Sequence, residues 1–287
     1  MKSNWWREAV IYMIYPFSFY DSNGDGIGDL AGIIQKLDYL NNGTPDSLGI
    51  DAIWITPIFK SPWADYGYDV SDYKKIDPLF GDIATAEKLI RECHERGINV
   101  IFDLVPNHTS NEHQWFIESK SSRDNPKHDF YIWADPHPNG GPPSSHKSVF
   151  GGSAWEFSHR RGQYYFHYFY KEQPDLNWLN PEVLEQMKAA LEFWLKKGVD
   201  GFRFDAVKHL FEKYLEADLT SFPVPTLTRE AAHEIFKEWR RVLDKYGAVA
   251  ISEAWDTDVS VWKSYYGEKL DEFHLPLNFF FMQTSWN

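Results

Sequence analysis

The chain has 287 residues, 43% of them hydrophobic, enough to bury a substantial core as one globular domain. A formal charge of −13 excludes a nucleic-acid partner, whose affinity is built from Lys and Arg contacts to phosphate. The single cysteine, Cys93, excludes an internal disulfide; no run of eighteen apolar residues offers a membrane span, and residues 1–8 lack the apolar centre of a signal peptide, so the expected location is cytoplasmic.

Short apolar, β-rich runs alternate with segments of helical period, the pattern of βαβ units around a parallel sheet. In chain order the pattern predicts a strand over 10–17, a helix over 30–40, a strand over 52–58, a helix over 84–96 carrying Cys93 as a buried thiol, and a strand over 99–105. Residues 107–180 break the alternation. They are rich in Pro, Gly, Ser and His before the aromatic run 164–170, and read as an excursion domain over the active face. The alternation resumes with a helix over 181–197, bracketed by Pro181 and Gly198, then a strand over 201–207, a helix over 229–246, a strand over 248–254 and a weaker strand near 273–279.

The expected class is therefore α/β, a (β/α)8 TIM-barrel type left incomplete at about six strands. Residues 1–106 form its first part, 107–180 the excursion domain inserted after the third strand, and 181–287 its continuation. Six parallel strands leave open edges, so the expectation is a fragment, or a barrel completed by a second polypeptide or by self-association. Aromatic residues make up 17% of the chain; their flat faces suit sugar rings and equally a large aromatic core.

Several strand ends carry chemistry. The third predicted strand ends in Asp103, followed by Asn107 and His108, which puts an acid, an amide and an imidazole on one rim as candidate substrate-binding groups, His108 able to donate to a substrate hydroxyl. The strand beginning at Gly201 ends in Asp205, and Arg203, two residues earlier, faces the same side and can hold that aspartate ionised. The next strand ends in Glu253. Two carboxyls on neighbouring strands suit retaining glycoside cleavage, which needs one to attack carbon and one to carry a proton. A separate loop, 21–29, presents side-chain oxygens at alternate positions, as a Ca2+ loop requires. Gly32 stands where an EF-hand has its bidentate Glu, so an EF-hand is excluded, and a metal-free turn built from Asp, Asn and Gly stays open.

These segments resemble the α-amylase superfamily, glycoside hydrolase family 13. Residues 103–108 are similar to its first signature region, 201–205 to its second, Glu253 to its third, and 173–178 (Gln-Pro-Asp-Leu-Asn-Trp) to the additional signature in the excursion domain. The resemblance covers nearly the whole chain and implies Asp205 as nucleophile and Glu253 as general acid/base. It also implies that His108, Arg203 and Tyr68 line the reacting subsite, that Asp65 bonds non-reducing-end hydroxyls, and that Phe169 forms an aromatic wall. In oligo-1,6-glucosidase-like members the loop binds a structural cation, which here implies Ca2+, with Mg2+ as the alternative, on Asp21, Asn23, Asp25, the Ile27 carbonyl and Asp29.

The opening residues 5–12 resemble α-glucosidases and oligo-1,6-glucosidases, whereas Lys208 and His209 resemble the leaving-group-side pair of α-amylases. In the former group a Val after the nucleophile accompanies α-1,6 cleavage; Ala206 implies α-1,4 bonds in gluco-oligosaccharides, a choice worth about 1–3 kcal/mol. The fourth signature region has no counterpart, since Asp271 and His274 lack its neighbours. Without the transition-state acid of that region the chain by itself is expected to be nearly inactive. Transglycosylation or isomerisation, as in trehalose synthase and sucrose isomerase relatives, and a non-catalytic carbohydrate-binding or assembly module are the other readings.

Overall fold

The computed structural model describes residues 4–210, 228–282 and 284–285. Its strands are β1 (Ile11–Ile14), β2 (Ala52–Ile55), β3 (Phe59–Lys60), β4 (Asp72–Ile76), β5 (Asn99–Leu104), β6 (Trp133–Ala134), β7 (Trp155–Ser158), β8 (Gln163–Phe166), β9 (Gly201–Phe204), β10 (Val249–Ser252) and β11 (Leu275–Pro276). Its helices are α1 (Pro16–Phe19), α2 (Leu30–Gln35), α3 (Leu37–Leu40), α4 (Ile83–Glu95), α5 (Gln114–Ser121), α6 (Pro181–Leu195), α7 (Arg229–Asp244), α8 (Val259–Ser264) and α9 (Phe279–Met282).

Six strands pair in parallel in the order β1-β2-β5-β9-β10-β11, a curled part of a (β/α)8 barrel as the alternation predicts. Side chains alternate across it with period two. Ile53, Ile55, Val100, Phe102, Phe202, Phe204 and Ala250 point outward into the main core, with Leu89 and Ile90 of α4, Met187 and Trp194 of α6, and Phe236 and Trp239 of α7. Each such large side chain contributes about 1.5–3 kcal/mol by leaving water. Ala52, Ile101, Val249 and Ile251 point inward and pack with Trp5, Trp6, Ile11, Trp54, Leu275 and Leu277. Asp103, Arg203, Asp205 and Glu253 share that inward parity, one step or two beyond the inner apolar layer.

Local signals set the helix ends. Asp82 accepts from the Thr85 N–H at α4, and Asn180 caps α6 with Pro181 at its first position. Thr228 caps α7 by accepting from Ala231 N. Gly198, at φ 98, takes the left-handed conformation that ends α6. Cys93 is buried in α4, and burial pushes its thiol up, as expected of a structural cysteine.

The predicted elements differ from the observed ones in extent. The strand over 10–17 stops at Ile14 because Pro16 opens α1. The helix over 30–40 divides at Lys36 into α2 and α3. The segment 273–279 keeps only β11 as strand before α9 begins. The antiparallel pair β3-β4 and helices α5 and α8 had no counterpart in the expected elements, and neither did the antiparallel sheet β6-β8-β7 formed within 133–166. Among the described residues no helix is long and apolar enough to cross a membrane.

Candidate active site

The carboxyl ends of β5, β9 and β10 meet at one cation. Asp103 and Arg203 are register partners across β5 and β9, as Arg203 and Ile251 are across β9 and β10, so their inward side chains lie side by side. Arg203 Nη1 donates to both oxygens of Asp103, at 3.0 and 3.2 Å, and to Asp205 Oδ1 at 2.6 Å, while Nη2 donates to Glu253 Oε2. Asp103, Arg203 and Asp205 are buried, whereas the Glu253 side chain keeps 32% of its exposure and forms the open side of the cluster.

Three carboxyls around one guanidinium cannot all ionise freely. Burial pushes Asp205 well above the ordinary carboxylate range, Arg203 opposes that rise, and the charges of Glu253 and Asp103 add to it. Burial also pushes Asp103 up to about 6, against the pull of Arg203 and of the Trp54 indole. Burial acts to lower Arg203, but the three carboxylates more than offset it and the guanidinium stays charged. Tyr68 is pushed up by burial and then by Asp103 and Asp205, so its phenol stays neutral. The acids are thus coupled through one cation, burial opposing the charged forms of Asp103 and Asp205 and Arg203 favouring them.

A second layer surrounds it. His108 Nε2 lies 3.2 Å from the Tyr68 carbonyl and 2.9 Å from Gln173 Nε2, and Asn107 Nδ2 lies 3.1 Å from His108 Nδ1. Gln173, fully buried, also donates to Asp65 Oδ2 at 2.8 Å, while its carbonyl oxygen accepts from Tyr170 N. Burial raises the Asp65 carboxyl, and the Gln173 bond opposes the rise. The Phe169 ring stands 5.0 Å from His108, and the Tyr68 ring lies 6.0 Å from the Arg203 guanidinium. Lys208 and His209 sit on the short 3-10 turn Val207–Leu210; Lys208 Nζ lies 3.7 Å from Asp256, and His209 stacks on Tyr168 at 4.5 Å. Ala206, between the strand and this turn, has φ 47, a left-handed conformation rare for a residue with a side chain.

Two residues of this site had no role in the expected set. Trp54 donates its indole N–H to Asp103 Oδ2 at 3.1 Å, and its inward parity on β2 is the signal that points to it. Gln173 stands in the signature segment 173–178, but the bond to Asp65, 108 residues away, is visible only in three dimensions.

In the loop 21–29, Asp21 accepts from the backbone N–H groups of Asn23, Gly24 and Gly26, and Asp25 from Ile27 N. The bonds from Gly26 and Gly24 hold the Asp21 carboxyl below the usual range. Asp29 is buried: Oδ1 caps α2 at Gly32 N and Oδ2 accepts from Ser22. Among the described residues no three His, Cys, Asp or Glu side chains converge as metal ligands. The hard oxygens of Asp21, Asn23 and Asp25 are nevertheless of the type that Ca2+ takes, whereas Asp29 Oδ2 already accepts from both the N–H and the hydroxyl of Ser22.

The family profile described as the alpha amylase catalytic domain matches residues 13–287. The chain belongs to the α-amylase family. This α-amylase-family chain is 46% identical to an oligo-1,6-glucosidase of Heyndrickxia coagulans over 99% of its length and 52% of that relative. It is 41% identical to an α-glucosidase of Culex pipiens, over 96% of its length and 50% of the relative. Among solved structures it superposes on trehalose-6-phosphate hydrolase of Bacillus licheniformis with TM-score 0.88 at 41% identity, covering 99% of this chain and 51% of that one. It also matches the isomaltulose synthase of Protaminobacter rubrum, with TM-score 0.85 at 40% identity, 97% of this chain and 50% of that one. The chain thus spans about half the length of the α-amylase-family relatives it matches.

Proposed function

We propose that this chain carries the acid cluster of a retaining glycosidase acting on α-glucosidic bonds of gluco-oligosaccharides. One observation carries the reading: a single buried guanidinium, Arg203, holds Asp205 and Glu253 from successive strand ends. In this reading Asp205 attacks the anomeric carbon and forms a covalent glycosyl-enzyme. Glu253, on the open side, gives its proton to the leaving oxygen and then takes one from water. Arg203 compensates the nucleophile's charge. His108, Tyr68, Asp65 and Phe169 bind and orient the reacting glucose, with Asp103 and Asn107 holding Arg203 and His108 in place, and Lys208 and His209 meet the leaving group.

Ala206 favours α-1,4 bonds, while the oligo-1,6-glucosidases among the relatives support an α-1,6 alternative. Transfer or isomerisation at the same site is the second reading, supported by neighbours named as an α-glucosyl transfer enzyme and an isomaltulose synthase. Among the described residues no further strand pairs with β1 or β11 on its outer side, which supports the further proposal that these six strands alone turn over slowly and that more of the same polypeptide, a second polypeptide or a second copy closes the barrel. The loop 21–29 is proposed to take Ca2+, or Mg2+, as a structural ion on Asp21, Asn23, Asp25, the Ile27 carbonyl and Asp29.

The test is product analysis from maltose, isomaltose and sucrose, with wild-type chain and Asp205→Asn, alongside mass measurement by light scattering. Glucose release abolished in Asp205→Asn supports the assignment; equal release by both chains overturns it.

A further inference from the structure

Trp54 lies one strand away from the arginine cluster, yet it touches two of its members. Its indole N–H donates to Asp103 Oδ2 at 3.1 Å, and its ring face lies 5.0 Å from the Arg203 guanidinium. Asp103 in turn accepts from Arg203 Nη1 through both oxygens, and that same nitrogen reaches Asp205. Asp103 is 1% exposed, and a carboxylate so buried holds its charge only through donors aimed at it.

We propose that Trp54 is a positioning residue: its indole N–H keeps Asp103 ionised, and Asp103 then fixes the Arg203 fork on which Asp205 and Glu253 are hung. The proposal deepens the glycosidase reading and rests on it for its functional meaning, but the clamp itself exists whether or not the chain turns over. Among the described residues two donors face Asp103, Trp54 from β2 and Arg203 from β9, and removing the Trp54 N–H leaves only the Arg203 fork there. The charged and titratable groups around it are Arg203 and Asp205 from β9 and its end, Glu253 from the end of β10, and the Tyr68 phenol. With Asp103 protonated, Nη1 loses an anionic partner and the guanidinium is free to shift toward Asp205 and Glu253. Such a shift alters transition-state geometry more than ground-state binding.

The experiment is a carboxyl 13C NMR titration of the full 287-residue chain with labelled aspartate, the Asp103 signal being the one that disappears in Asp103→Asn. In Trp54→Phe, which keeps an aromatic face and removes the donor, the Asp103 midpoint is expected to move up by about one pH unit. If Trp54→Phe does not fold, 3-benzothienylalanine at position 54 replaces only the N–H by sulfur and serves in its place. An unmoved Asp103 midpoint in the folded variant overturns the proposal, whatever its melting temperature. Where the chain shows turnover, the acid limb of kcat should move up in pH with KM changed less than twofold. Loss of the Asp205 assignment would leave the titration result standing, so the two readings fail separately.

Discussion

Gln173 donates its amide N–H to Asp65 at 2.8 Å, tying the signature segment after β8 to the loop between β3 and β4. The amide cannot be turned round, because its oxygen faces the Tyr170 N–H, which only donates, and its nitrogen faces a carboxylate. Replacing it with Leu takes a partner from the half-buried Asp65 carboxylate, from the Tyr170 N–H and from His108 Nε2. Gln173→Leu should destabilise the chain by about 1–3 kcal/mol in urea unfolding. Gln173→Glu, which sets a second carboxylate against Asp65, should cost at least as much; a neutral result for both would show that the bond carries no stability.

His113 sits at the N-cap of α5, its Nδ1 accepting from Trp115 N at 3.1 Å, with Tyr73 and Trp115 against its ring. Burial depresses its pKa to about 4 from 6.5. The unfolded chain then binds the proton more readily, so stability is full above about pH 6.5 and falls as pH drops toward 4, by at most about 3 kcal/mol. His113→Asn, which can still cap the helix, should lose that part of the acid sensitivity in melts from pH 7 to 4. A variant with the wild-type pH slope would remove His113 as its source.

His94 has the opposite sign. Its Nε2 meets Asp200 Oδ2 at 2.7 Å at the amino ends of β5 and β9, and that hydrogen bond raises its pKa while burial pulls the other way. A raised pKa gives stability that is full below the unfolded value near 6.5 and is lost as pH rises through the folded one. The melting-temperature deficit of His94→Gln should therefore be largest at pH 6 and shrink toward pH 9; a deficit independent of pH would exclude a charged pair.

Gly201 is required by contact. A Cβ there would lie 2.3 Å from Val249 Cγ1 and 2.6 Å from the Val249 carbonyl oxygen. Gly201→Ala should cost about 1–3 kcal/mol and spread β9 from β10, where Arg203 and Glu253 meet. Adding Val249→Ala should restore only part of the loss, because the backbone oxygen remains; complete rescue would place the clash in the side chain alone.

Much of this architecture is legible locally. Apolar strands and amphipathic helices alternate along the chain, Pro181 and Gly198 mark where α6 starts and stops, and acids at the ends of β5, β9 and β10 announce a site. These signals lie within a few residues of one another, and the physics that produces them, side-chain period and helix capping, is equally short-ranged. The same short range explains what local reading misjudged: Pro16 starts a helix where apolar character continues, and the two-residue strands β3, β6 and β11 are too short to show a period.

By itself the sequence determined the barrel-type α/β class, the strand ends that bear Asp103, Arg203, Asp205 and Glu253, and the motifs shared with the α-amylase family. Tertiary structure alone decided that one guanidinium serves three carboxyls, that Trp54 donates to one of them, and that Gln173 bonds Asp65 from 108 residues away. Those relations depend on register between strands about 50 to 100 residues apart and on burial that turns weak surface attractions into strong ones, and neither is written in any local stretch of chain.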